Sequence, residues 1–167
     1  FFHTLIVDTD RSFDGDFMES NYNLVMTTVS EFNKILEQMY ERGYVLVSIH
    51  DMAKEVVNED GETVMEQGDI YLPEGKIPFV LSQDDVCYYE YMDGDGYATK
   101  LFIDENGKAL CEYTDADGNV LTGDYDIVPI LESFIEEHPD FSYRGARGIL
   151  ALTGYNGILG YRTDLTY

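Results

Sequence analysis

Two adjacent carboxylates, Asp84 and Asp85, close the apolar run in "IPFVLSQDDV", residues 77–86. Side by side, each acid makes the other harder to ionise. A solvated loop pair is the plain reading. The other is a cation site, in which a divalent ion relieves the repulsion, one acid ligates it and the second is free to accept a proton. Other chemistry-bearing residues are few. His3, His50 and His138 are the histidines, and none is spaced from another as a metal pair. Tyr88, Tyr89 and Tyr91 suit stacking on sugar rings or ordinary packing. Arg144 and Arg147 in "YRGARG" read as solvated loop cations.

Bulk composition narrows the partners. The 167 residues carry 33 acids against 10 bases, a formal charge of −23, with 44% hydrophobic residues. Such a chain has a core to bury and is not of disordered composition. The charge argues against nucleic acid and against an anionic membrane surface. No apolar run reaches the ~20 residues of a membrane span. No signal peptide is visible, and the start at Phe1 leads us to expect an upstream segment. Cys87 and Cys111 leave a disulfide and two free thiols equally open.

The elements that must hold the acid pair follow from pattern. "HTLIV", 3–7, reads as a strand, and "DTDRSFDGDFMES", 8–20, as an acidic loop that does not complete a calcium-loop spacing. Thr28 and Glu31 form a capping-box pair, and Phe32, Ile35, Leu36, Met39 and Tyr40 make one apolar stripe of a helix. Gly43 is placed to end it, and "YVLVSI", 44–49, follows as a strand. "HDMAKEVV", 50–57, reads as a short helix and 58–76 as a hairpin excursion. "IPFVLS", 77–82, is a second buried strand. Asn106-Gly107 and Asp117-Gly118 mark a three-strand meander over 101–121. The Asp115, Asp117 and Asn119 cluster fits turn chemistry better than calcium. A second helix is expected within 124–141, with Ile127, Ile130, Leu131, Phe134 and Ile135 as its stripe, and "GILALTGY", 148–155, as a third buried strand. The whole reads as one α/β domain, 1–167, in which sites gather past the C-terminal ends of strands. Asp84 and Asp85 stand at such an end.

The order of "FFHTLIV", "TTVSEFNKILEQMYERGYVLVSI", "FVLSQDDV" and "IVPILESFIEEHPDFSYRGARGILAL" resembles the NodB-like polysaccharide deacetylases, carbohydrate esterase family four. The resemblance implies the N-terminal part of a distorted (β/α) barrel carrying an inserted meander. It implies hydrolysis of the acetamide of N-acetylglucosamine-type polymers at an extracellular or cell-surface location. By it, Asp84 is the catalytic base and Asp85 a ligand to a divalent metal, zinc in the first instance. His3 and Gln83 are neighbours of the site, and Tyr88 and Tyr89 are substrate contacts. The sequence departs from the family where Gln83 replaces an aromatic and Val86 replaces Gly. It also lacks the H-x-x-x-H metal pair. A non-catalytic carbohydrate-binding or scaffolding protein on the same fold is the alternative. A partial barrel would leave an open sheet edge, so self-association through that edge is expected.

Overall fold

The structure is a computed structural model, and it describes residues 1–165. It is mixed α/β, built from small sheets, with no closed barrel among the described residues. Chain order begins with α1 (Thr9–Ser12), α2 (Glu19–Val25), α3 (Val29–Glu41) and β1 (Tyr44–Leu46). A hairpin of β2 (Ala53–Val57) and β3 (Thr63–Gln67) follows, then β4 (Ile77–Phe79) and β5 (Ser82–Gln83). The meander is β6 (Ala98–Ile103), β7 (Ala109–Thr114) and β8 (Val120–Gly123). The last elements are α4 (Ile127–Glu137) and β9 (Ile149–Leu150).

α3 forms for the reasons its sequence announces. Thr28 Oγ1 accepts from the Glu31 amide at 3.1 Å, and the Glu31 carboxylate accepts from the Thr28 amide at 2.9 Å. Both bonds satisfy donors that a helix start leaves orphaned. The Thr28 amide, with the Thr28 hydroxyl donating to the same carboxylate, also holds the Glu31 carboxyl below its ordinary value. Gly43, at φ 80°, ends the helix in the left-handed region that glycine adopts at least cost. Phe32 and Leu36 are fully buried against Leu5, Leu46, Leu81, Ile130, Leu131 and Phe141. Burying each such side chain is worth ~1.5–3 kcal/mol. His138 caps the far end of α4, its ring 4.4 Å from Tyr40 and 4.7 Å from Phe134.

Parallel pairing ties the layers together. β1 pairs with β4, and β5 pairs with β9. Phe2 bridges Gln83 in parallel fashion. The antiparallel meander packs β7 against α4 and closes a second cluster around Val86, Tyr88, Ala98, Leu101 and Cys111. Residues 157–161 strap over it: Leu101 N donates to Leu159 O at 3.0 Å and Gly160 N to Cys87 O at 3.0 Å. A Cβ at Gly160 would run into Thr99 O, so glycine permits the close approach.

Several local expectations need correction. Residues 3–7 are buried around Leu5 and Ile6 but make only isolated bridges, at Phe2 and Ile6. The acidic stretch 8–20 contains α1, and α2 begins at its end. Residues 53–57 are a strand rather than a helix, because Asn58 and Asp60-Gly61 make a turn that folds them onto 63–67. The hairpin is therefore 53–67 rather than 58–76. The run 77–82 is split into β4 and β5, with Ile77 exposed. β9 takes only 2 residues of the stretch 148–155. The meander starts three residues earlier than its turns suggested, at Ala98. Both cysteines are free and buried.

Candidate functional site

β5 is flanked on both sides, by Phe2 and by β9. Asp84 N donates to Phe2 O at 2.7 Å on one side, and Ala151 N donates to Gln83 O at 2.9 Å on the other. Past Gln83 the chain leaves the sheet in a tight turn, closed by Cys87 N donating to Asp85 O at 2.7 Å. Asp85 has φ 55° and Tyr88 φ 57°. Asp reaches this left-handed region more readily than most residues, whereas an aromatic does so under strain. Val86 is not among the left-handed residues. It is fully buried in the second cluster.

The turn sets Asp85 at a small pocket, about 30 Å³, lined by His3, Thr4, Met26, Asp85, Tyr89, Tyr91 and Met92. Asp85 is exposed, and the Thr153 hydroxyl, from the segment after β9, donates to its Oδ1. Among the described residues, no hydrogen bond or ion pair engages the half-buried Asp84 carboxylate. Tyr89 stacks on Tyr91, centroids 5.3 Å apart at 16°, and lies 6.1 Å from the ring of Tyr155. Tyr91 and Tyr155 are exposed. Burial raises the Tyr91 phenol, and the neighbouring Tyr89 and Asp85 add to the shift. The mouth thus combines the Asp85 carboxylate, one imidazole and an aromatic platform, with Asp84 adjoining it in sequence.

Gln83 and Tyr88 are not at this mouth. Both turn inward to Asp126. Gln83 Nε2 donates to Asp126 Oδ2 at 2.7 Å, and the Tyr88 hydroxyl donates to the same oxygen at 2.7 Å. Asp126 Oδ1 accepts from Leu5 N at 3.1 Å and from Ile127 N at 2.8 Å, so Asp126 is also the N-cap of α4. Asp126 is fully buried, and burial pushes its carboxyl up despite these bonds. Burial, with Asp126 alongside, likewise raises the Tyr88 phenol well above its ordinary value. Cys111 Sγ lies 3.7 Å from the Tyr88 hydroxyl. Its thiol is pushed up, chiefly by burial. Sequence reading passed over Asp126; its one signal was an Asp directly before an apolar helical stripe.

The remaining candidates have other duties. His50 lies in an exposed 3₁₀ turn. Arg147 pairs with Glu132 at 2.5 Å, and the Arg144 guanidinium sits 4.8 Å from the centre of the Tyr143 ring. Asp115 accepts from Asp117 N at 2.9 Å, Asn119 N at 2.8 Å and Asn119 Nδ2 at 2.9 Å, as a turn acid does. In the stretch 8–20, Gly15 does stand sixth from Asp10, as in a calcium loop. Asn21 takes the place of the closing Glu, however, and Asp14 and Asp16 spend their oxygens on the amides of Asp16, Met18 and Glu19.

No family model, no curated protein and no solved structure matches this chain. The mouth has therefore to be judged on its own chemistry. Among the described residues no group of three or more His, Cys, Asp or Glu side chains is set to hold a metal ion. Asp85 and His3 supply two donors to one pocket, fewer than the three protein ligands of a catalytic zinc site. The described residues alone do not make a full zinc site.

Proposed function

We propose that the mouth at Asp84 and Asp85 binds an N-acetylated sugar polymer and serves N-deacetylation of the NodB type, in an extracellular or cell-surface setting. The observation that carries this reading is one pocket holding Asp85 and His3 beside the stacked Tyr89 and Tyr91. Aromatic faces pack on the apolar faces of sugar rings, and carboxylates accept from sugar hydroxyls. Asp84, with no competing side-chain partner among the described residues, is the acid available to take a proton from water as it attacks the acetamide carbon. As the C–N bond breaks, that proton passes to the departing nitrogen, leaving an amine on the sugar and acetate in solution. The divalent ion implied by the resemblance requires donors beyond Asp85 and His3.

A second reading, carbohydrate binding without catalysis, is favoured by the exposed Tyr89–Tyr91–Tyr155 cluster, which needs no metal to work. One experiment separates the two. The chain is incubated with N-acetylglucosamine hexamer, with and without Zn²⁺, while acetate release and hexamer binding are measured. Acetate release that disappears in Asp84→Ala supports deacetylation. Binding without release, lost in Tyr91→Ala, supports the second reading. Neither binding nor release rejects both.

A further inference from the structure

We infer that Asp126 is the positioning residue of the mouth, fixing His3, the acid pair and Tyr89 relative to one another through a single buried carboxylate. The functional meaning of "mouth" rests on the proposal above; the positioning itself rests on geometry.

The bonds of Asp126 reach three separate stretches of chain. Gln83, held at 2.7 Å, immediately precedes Asp84. Tyr88, held at 2.7 Å, immediately precedes Tyr89. Leu5, whose amide is held at 3.1 Å, lies two residues after His3. The carboxylate therefore pins both ends of the turn 84–87 and the segment that carries the histidine. A helix cap needs far less, since the bond to Ile127 N already serves α4.

The turn between these pins has reason to relax if released. Asp85 within it and Tyr88 directly after it are left-handed. Each such residue costs ~1–3 kcal/mol and persists only where its surroundings dictate it. Besides Asp126, the turn is held by Cys87 N to Asp85 O, Asp84 N to Phe2 O, a long Val86 N to Ala151 O at 3.3 Å, the Thr153 hydroxyl on Asp85, and Leu159 N and Gly160 N on the Val86 and Cys87 carbonyls at 3.2 and 3.0 Å; none of these engages the Gln83 or Tyr88 side chain. Gln83 supplies an independent sign that its pose is imposed. Its Oε1 is buried without a partner while its Nε2 is spent on Asp126. Among the described residues this leaves an acceptor unmade beside a donor that is bonded, so the Gln83 side chain is oriented by Asp126. Supporting contacts of this kind are what hold a site within tolerance of its working geometry.

Tyr88→Phe removes one bond and keeps the ring. Asp126→Asn keeps the shape and exchanges an acceptor for a donor. Ile135→Val, in the buried face of α4 and away from the carboxylate, controls for general destabilisation. Amide hydrogen exchange is followed at Asp84–Tyr89 and, as reference, at Phe102 and Leu110, paired across β6 and β7 of the meander. Binding of N-acetylglucosamine hexamer is measured alongside. We expect Tyr88→Phe to speed exchange at 85–87 at least tenfold with the meander unchanged, and to weaken the hexamer to a similar degree. Ile135→Val should produce no such local pattern. Exchange at 84–89 within twofold of the parent in Tyr88→Phe overturns the inference, as does a loosened turn that binds hexamer as tightly as the parent. Should Asp126→Asn fail to fold, Tyr88→Phe decides alone. A loosened turn in a chain whose parent binds no hexamer sinks the functional proposal and leaves Asp126 as the pin of this turn.

Discussion

Asp115 and Asp85 are both acids in tight turns, yet they are used in opposite ways. Asp115 accepts three hydrogen bonds from its own turn, two from backbone amides and one from Asn119. Asp104 does the same in the other meander turn, taking the Asn106 and Lys108 amides at 2.9 and 2.8 Å. These bonds hold both carboxyls below the usual range, led by the Asn119 side chain for Asp115 and by the Lys108 amide for Asp104. Asp85 takes only the Thr153 hydroxyl, and Asp84 takes no partner among the described residues. A turn acid that builds its turn is saturated with local donors; the acid pair is left open at an exposed mouth. Asp126 is the extreme case of saturation, with four donors and no solvent. Availability, rather than acidity or position in a turn, separates a chemical acid from a structural one.

The largest test of that contrast is Asp126→Ala. It removes a helix cap and strands the buried Tyr88 hydroxyl and Gln83 amide, so unfolding in urea should show a loss of about 3–5 kcal/mol. A loss below about 1 kcal/mol would mean that the donors find other partners.

Opposite pH dependences should follow from the same contrast. The folded carboxyls of Asp104 and Asp115 are lowered, so their stabilisation is present above the ordinary carboxylate range and is lost as pH falls through their folded values. Asp126 is raised by burial. Its contribution is greatest below the ordinary range and declines as pH rises toward its folded value. Asp115→Ala should abolish the acid loosening of β7 and β8 seen by amide exchange. In urea unfolding just above the ordinary carboxylate range, Asp126→Asn should flatten the fall in stability with rising pH. Unchanged profiles in both variants would contradict the assignment.

The smallest effect belongs to Asp85. Glycine adopts φ 55° without strain, so Asp85→Gly should leave stability unchanged or raise it by up to about 1 kcal/mol. Asp85→Ala should lower it by roughly the same amount or less. A residue that can be replaced by glycine at no loss is held for something other than the fold. A clear drop in thermal unfolding for Asp85→Gly would return it to the structural class.

These distinctions were only partly legible in the chain. α3 was readable because its capping box and its apolar stripe agree. The meander was readable because Asn106-Gly107 and Asp117-Gly118 name their turns. The strand 53–57 was misread because most of its residues are exposed, so no periodicity marks it; only the turn at Asn58 and Asp60-Gly61 does. The acid pair's place past a strand end was readable from the run "IPFVLSQDDV". The inward roles of Gln83 and Tyr88 were not. Their partner lies 43 and 38 residues away, and no local pattern encodes that distance. Likewise, Thr153 meets Asp85 across 68 residues.

The most direct test of the open acid pair is binding of N-acetylglucosamine hexamer, followed by chemical-shift changes in the parent, Asp85→Ala and Asp115→Ala chains. The account predicts shifts at His3, Asp84, Asp85, Tyr89 and Tyr91 in the parent. They should vanish in Asp85→Ala and persist in Asp115→Ala. A parent chain with no shifts at these residues, or equal loss in both variants, would contradict it.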